Sequence, residues 1–203
     1  MIRYGRSPWV DRYPKSRVPA YPVQRGALET DVIIVGGGLT GCATAYAFAA
    51  AGVKVVLLEA DRIARGSSGS ATGLVADAPS ASFRQIEKAV GLRSARRAWQ
   101  AWRRSALDFA ALLRRLEVKC DLQAAPALRL ARTPEQAALL KRELKARRDA
   151  GVDGSALNAR AARTEASTEA IAGVRTRDSS TIDPYRAALG LAAAAVARGA
   201  TIF

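Results

Sequence analysis

Histidine is absent from the 203 residues, and cysteine and methionine nearly so, at two and one. Without histidine, no imidazole can anchor a prosthetic group covalently within this segment. The two thiols, Cys42 and Cys120, have no partner at metal-ligand spacing, so there is no metal motif. So few cysteines also fit a reducing compartment. Aromatic residues make up only 6% and are not interleaved with basic ones as a base-stacking platform requires. No apolar run approaches the ~20 residues that span a bilayer. The N-terminal stretch lacks an uncharged apolar core, paired arginines and a small-residue cleavage signal, so cytoplasmic residence is expected. Acidic residues are scarce: 18 against 32 basic ones, a net charge of +14. That surplus invites a nucleic-acid or acidic-membrane partner. The basic residues, mostly arginine, are instead spread along helix faces between alanines, as on a solvated face. No specific nucleic-acid partner and no membrane span are expected.

What is present is concentrated between Asp31 and Glu59. An apolar run, Val32 to Val35, stops at Gly36-Gly37-Gly38, and a small-residue helix follows at once. A second apolar run, Val53 to Leu58, ends in a single acid, Glu59. Strand, glycine turn, helix, strand, acid is the layout that sets a dinucleotide pyrophosphate on a helix N-terminus. Gly36 lets the chain turn sharply where a side chain would clash. Gly38 lets the backbone approach a phosphate, and Gly41 lets the helix lie on the strand, with Ala45, Ala49 and Gly52 keeping that contact shallow. The open N–H groups of the first helical turn and the helix dipole favour an anion. Glu59, 18 positions after Gly41, suits ribose hydroxyls and would repel a 2′-phosphate, which disfavours NADP. The same residues can also be read as a plain βαβ unit with a tight turn and no ligand.

After Glu59 the chain enters a glycine- and serine-rich loop, Gly66 to Gly73, bounded by Arg62 and Arg65. Its amides and the Ser67 and Ser68 hydroxyls can bind further oxygens of a longer cofactor; composition alone would make it a flexible surface loop. Taken together, these residues resemble the FAD-dependent oxidoreductases of the D-amino-acid oxidase, glycine oxidase and sarcosine oxidase type. The likeness is strong from Asp31 to Val75 and returns at Thr181-Ile182-Asp183-Pro184-Tyr185-Arg186 and Arg198-Gly199-Ala200-Thr201-Ile202. Many members of that family carry Arg or Asn within or just after the loop; here Ser70, Ala71 and Gly73 stand there. The resemblance implies FAD as cofactor, with Gly36, Gly38 and Gly41 at its pyrophosphate and Glu59 at its adenosine ribose. It places Arg62, Ser67, Ser68 and Thr72 along the flavin side. It further implies an N-terminal portion of a longer enzyme oxidising a small-molecule amine or amino acid. No catalytic residue is nominated within this stretch, and a histidyl-linked flavin is excluded.

The expected fold class is α/β: an incomplete, Rossmann-like βαβ FAD-binding domain with an interposed, mostly helical segment. Residues 1–28 form a Pro- and Tyr-bearing arm, extended or turning, packed along the domain to cover Trp9, Tyr13 and Tyr21. Residues 29–78 are the FAD-binding core, 79–178 the interposed segment and 179–203 the return to the core. Within the interposed segment, residues 80–117 read as one helix with an apolar stripe through Leu92, Ala95, Trp99, Trp102, Ala106, Phe109, Leu113 and Leu116. Both tryptophans are read as core. A short strand follows at Leu128–Ala131. Thr133-Pro134-Glu135-Gln136 is a capping box opening a helix that runs to about Ala150 and stops at Gly151. Residues 152–170 read as a connecting loop with a helical turn, and Ile171–Arg177 as a strand. Asp183 caps a last helix begun by Pro184 and ending near Gly199, before a strand from Ala200. Two other functions fit parts of this pattern: an NAD-binding dehydrogenase-like βαβ protein, and a non-enzymatic basic remnant or partner-binding subunit.

Overall fold

β-branched residues set the first strand, β1 (Val32–Val35), and a second parallel run forms β2 (Val55–Leu58). Between them an alanine-rich helix, α2 (Leu39–Ala50), makes the crossover; the earlier α1 is a short turn of helix, Pro8–Arg12. The chain's last residues, β9 (Thr201–Ile202), add a third strand parallel to β2, giving the order β1-β2-β9. Helix α6 (Pro184–Ala197) precedes β9; the Asp183 carboxylate accepts the Arg186 N–H at 2.9 Å, as the Asp-Pro sequence leads one to expect. Both α2 and α6 end in the same device. Gly52 and Val53 N–H bond back to Ala49 and Phe48 C=O, and Gly199 and Ala200 to Val196 and Ala195, satisfying carbonyls left open at each helix end. Each helix therefore releases the chain directly into a parallel strand. Gly52 has a φ of +78° and would meet nothing through a Cβ, so it ends α2 and takes no part in the shallow helix–strand contact expected of it.

This computed structural model describes residues 5, 7–149, 151 and 154–203. It divides into two compact units: one comprises residues 1–73, 112–122 and 182–203, the other 74–111 and 123–181. In the first, α2 packs chiefly on α6, and both helices bury small residues: Cys42, Ala45 and Ala49 on α2, Ala188, Ala192 and Ala195 on α6. Residues this small let two helices approach closely. The opposite face of β1 is open, with Val35 84% exposed and Ile33 58%. The arm is not wholly extended. Its α1 turn is tied down by the Trp9 Nε1–H bond to Ala71 C=O (2.9 Å) and by Tyr13 meeting Tyr185 edge-on at 5.5 Å.

The second unit combines helices with two three-stranded antiparallel sheets. One has the order β3-β8-β4, from Leu74–Val75, Ser180–Thr181 and Gln123–Ala124. The other is β5-β7-β6, from Ala127–Ala131, Ala172–Thr176 and Ser155–Asn158. Helix α3 (Phe83–Arg115) opens with Ser82 and Gln85 exchanging side-chain and backbone bonds at 2.8 and 3.1 Å, a capping box. It is not continuous: Gly91, at φ +79° and ψ 161°, breaks it. Trp99 is fully buried on Phe83 and Ala95, whereas Trp102 is 49% exposed with its N–H on Ala76 C=O, so only the first of the two is core. At α4 (Pro134–Asp149) Gln136 N–H donates to Thr133, but the Gln136 side chain reaches Arg132 N–H instead of Thr133's own. Ala150, where that helix was expected to end, lies outside the described residues, as do Val152 and Asp153. In the rest of residues 152–170, expected as a loop with a helical turn, the helical part is α5 (Ala159–Ala166), capped by Asn158, and strand β6 before it was not expected. β6 exists because β7 offers it a pairing edge, a partner that local sequence cannot reveal.

Candidate functional site

The carboxyl ends of β1 and β2 and the start of α2 meet at the glycine turn. Gly36 takes φ +102°, and a Cβ there would meet no atom within 4 Å. Its role is thus the left-handed backbone conformation, not relief of the clash expected from sequence. Gly41 is the position under steric demand. A Cβ would lie 1.9 Å from the Gly36 carbonyl oxygen and 3.5 Å from Ile34, so the helix is seated on the turn's own backbone as well as on the strand. At Gly38 a Cβ would stand 3.2 Å from Ser68 Oγ.

Gly37, which sequence reasoning passed over, holds the turn to the acid. Its N–H donates to Glu59 Oε2 at 2.6 Å, and a Cβ would strike Ile63 at 2.3 Å and Glu59 at 3.1 Å. The other carboxylate oxygen of Glu59 accepts the Asp61 N–H at 3.0 Å. Two amides thus orient Glu59 at the strand end while each oxygen keeps a lone pair for a hydroxyl donor. The Ala64 N–H returns to Gly37 C=O at 2.9 Å, closing the loop after Glu59 onto the turn. Three consecutive glycines were the available signal for Gly37. Nothing local pointed to Ile63.

The N-cap of α2 is Gly38, which has no side chain to cap its helix. An oxygen from elsewhere does so: the Leu39 N–H donates to Ser68 Oγ at 2.8 Å. The glycine- and serine-rich loop therefore lies against the turn, and the first-turn amide points at an oxygen acceptor from outside the helix. That is the donor chemistry an anionic oxygen requires. Of the other loop positions, Ser67 opens a 3₁₀ turn (Ser67–Ser70) and Thr72 follows it, both exposed. Arg62 lines, with Glu59, a cavity of about 560 Å³.

Cys42, one turn into α2, donates its thiol to Gly37 C=O at 3.5 Å. Burial, followed by the Glu59 charge, pushes it up to about 12. It stays protonated and serves packing. Among the described residues no cluster of His, Cys, Asp or Glu could hold a metal ion, and no helix is long and apolar enough to cross a membrane. A larger cavity, about 760 Å³, lies in the other unit among Arg84, Lys88, Arg129, Leu139 and Glu143. The dinucleotide motif is absent from it.

Residues 31–203 match the family described as FAD dependent oxidoreductase, DAO. Among curated relatives, gamma-glutamylputrescine oxidoreductase of Escherichia coli (strain K12) is 35% identical over 95 residues, covering 47% of this chain and 22% of that protein. Glycine oxidase from Geobacillus kaustophilus superposes with a TM-score of 0.67 at 24% identity, over 86% of this chain and 46% of that one. Dithionite-reduced L-alpha-glycerophosphate oxidase from Mycoplasma pneumoniae, with FAD bound, gives 0.66 at 22% identity, over 87% and 45%. The chain spans less than half the length of these solved structures and about a fifth of the E. coli relative.

Proposed function

Because the chain belongs to the DAO family of FAD dependent oxidoreductases, we propose that it holds the adenosine-diphosphate half of FAD within an enzyme that oxidises an amine or amino acid. The observation that carries this reading is the Ser68 hydroxyl on the Leu39 amide, 2.8 Å away. A nicotinamide site needs no such loop, whereas a longer cofactor does. In the proposed site the turn amides from Gly38 onward take the pyrophosphate, with Gly36 and Gly41 shaping the approach. Glu59, held by Gly37 and Asp61, takes the ribose hydroxyls. Ser68 exchanges its amide partner for a place among the phosphate oxygens, and Ser67 and Thr72 line the path beyond; Arg62, expected on that path, stands instead with Glu59 at the adenosine end. FAD, when bound, supplies the two-electron acceptor for C–H oxidation beside nitrogen. The amine or amino-acid class is supported by the names of two relatives, gamma-glutamylputrescine oxidoreductase and glycine oxidase.

Fluorescence titration of the full-length chain with FAD and with NAD tests the cofactor. FAD saturates it and NAD does not; saturation by NAD alone overturns the reading. Ser68→Ala weakens FAD binding roughly tenfold, the loss of one hydrogen bond to a charged group. Flavin absorbance that bleaches anaerobically on addition of a primary or secondary amine supports the substrate class, and indifference to every amine rejects it.

A further inference from the structure

The cavity beside Glu59 has two walls of different origin. One comes from the strand ends and the loop after them: Leu58 to Ile63, and Phe203. The other is the arm, from Lys15 and Val18 to Gln24. The arm wall lies wholly before residue 31, where the family match begins. The cavity's volume, about 560 Å³, falls within the range of small-molecule sites. Its arm side is mainly apolar, with Val18, Pro19, Ala20, Pro22 and Val23, plus polar groups at Lys15, Tyr21 and Gln24. Pro19 and Pro22 fix φ within the wall, which lowers the entropy lost when a ligand packs on it. Anchors at one end keep the arm in place: Trp9 on Ala71, Tyr13 on Tyr185, and Val10 facing Gly69. Burial, followed by Cys42, raises the Tyr21 phenol, so it keeps its proton and can donate.

We infer that the Lys15–Gln24 segment is the outer wall of the adenosine end of the cofactor site, so that an element outside the family's shared segment helps to grip the nucleotide. This rests on the FAD reading above. An adenine ring needs apolar cover on its faces and a few hydrogen-bonding groups at its edge. Val18, Pro19 and Pro22 offer the first, and Tyr21 and Gln24 the second. Glu59, on the opposite wall, is already placed for the ribose.

The test uses the full-length chain with ADP and FAD as separate probes. Ala20 is exposed and lines the cavity, so Ala20→Trp fills that space without entering the core. Ser16→Trp adds the same bulk on the arm at a position that does not line it. Ala20→Trp loosens both ADP and FAD by about tenfold or more, the loss of one well-packed wall, while Ser16→Trp leaves both Kd values unchanged. Hydrogen exchange in the unmutated chain provides a readout independent of any variant: ADP slows amide exchange across Val18–Gln24. Equal affinities in the two variants, or exchange indifferent to ADP, overturn the inference and leave the FAD reading standing. A wild-type chain that takes up neither probe overturns the FAD reading itself.

Discussion

The two units solve the problem of burial in opposite ways. Around the glycine turn the interior is mostly small and uncharged, with alanines on α2 and α6 and a protonated thiol at Cys42; the buried Asp183 carboxylate caps α6 and pairs with Arg186 at 3.3 Å. The interposed unit buries charge. Arg147 is only 1% exposed and Glu143 8%. The Glu143 carboxylate accepts the Phe83 N–H at 2.7 Å and that of Arg84 at 3.4 Å, and reaches Arg147 at 3.4 Å. The Arg147 guanidinium lies over the Trp99 ring, 4.8 Å from its centroid, and Trp99 meets Phe83 edge-on at 5.6 Å. Burial and then the Arg129 charge pull the Arg147 guanidinium below its ordinary value, with Glu143 opposing. Close backbone packing at the turn sets its amides on oxygen acceptors, Gly37 on Glu59 and Leu39 on Ser68. Ionic packing ties the start of α3 to α4 through one carboxylate. The first arrangement suits binding; the second suits holding a scaffold together.

Glu143→Ala is the most damaging single change. It strands a buried cation and two helix-start amides, and costs about 3–5 kcal/mol in urea unfolding followed by tryptophan fluorescence. A loss below about 1 kcal/mol would make the pair no more than a surface ion pair. Around the glycine turn the matching test is alkaline. Cys42 is raised from 9.0 to about 12, so across that window the folded chain keeps a proton the unfolded chain has released. Stability is full below 9.0 and falls on going up, by about 1.4 kcal/mol per pH unit from this group. Cys42→Ala removes that slope, measured as the difference between wild-type and variant melts from neutral pH upward. A wild-type slope no steeper than the variant's would mean that the thiol is not held neutral. Gly41→Ala drives a Cβ against the Gly36 carbonyl, a backbone atom that cannot swing aside. About 1–3 kcal/mol of stability is lost, and FAD affinity with it. The smallest effect belongs to the Arg104–Asp108 pair on α3, 78% and 61% exposed at its side chains. Arg104→Ala changes stability by at most about 0.5 kcal/mol and disappears in high salt, separating exposed charge from buried charge within one unit.

Legibility from sequence divides along a similar line. β1, α2, β2, the cap and start of α6 and the final strand could be read because each carries a local code: β-branched runs, a glycine turn, Asp-Pro, and Gly at helix ends. Within the interposed unit the capped start of α4 and the β5 and β7 strands were readable. β6 was not, because a four-residue strand gains its stability from pairing with β7. The break at Gly91 was hidden because it falls just before the apolar stripe that begins at Leu92, while Phe83, Ile86 and Val90 on its other side keep helical spacing. Glu143 and Arg147, four apart on a charged helix, look from sequence like a solvated pair. Only the packing of Trp99 and Phe83 over them makes the pair interior.

Local sequence was enough to specify a turn of three glycines between a strand and a helix, with an acid at the next strand's tip, because backbone conformation and spacing are local properties. Tertiary structure alone decided which oxygen meets the first helical amide, that Gly37 clasps Glu59, and that the arm walls the same cavity. The first two contacts join residues 29 and 22 positions apart, and the cavity draws its lining from Lys15 and from Glu59, 44 positions on. Their geometry comes from the packing of α2 on α6 and the pairing of β2 with its neighbours, and no local stretch encodes it.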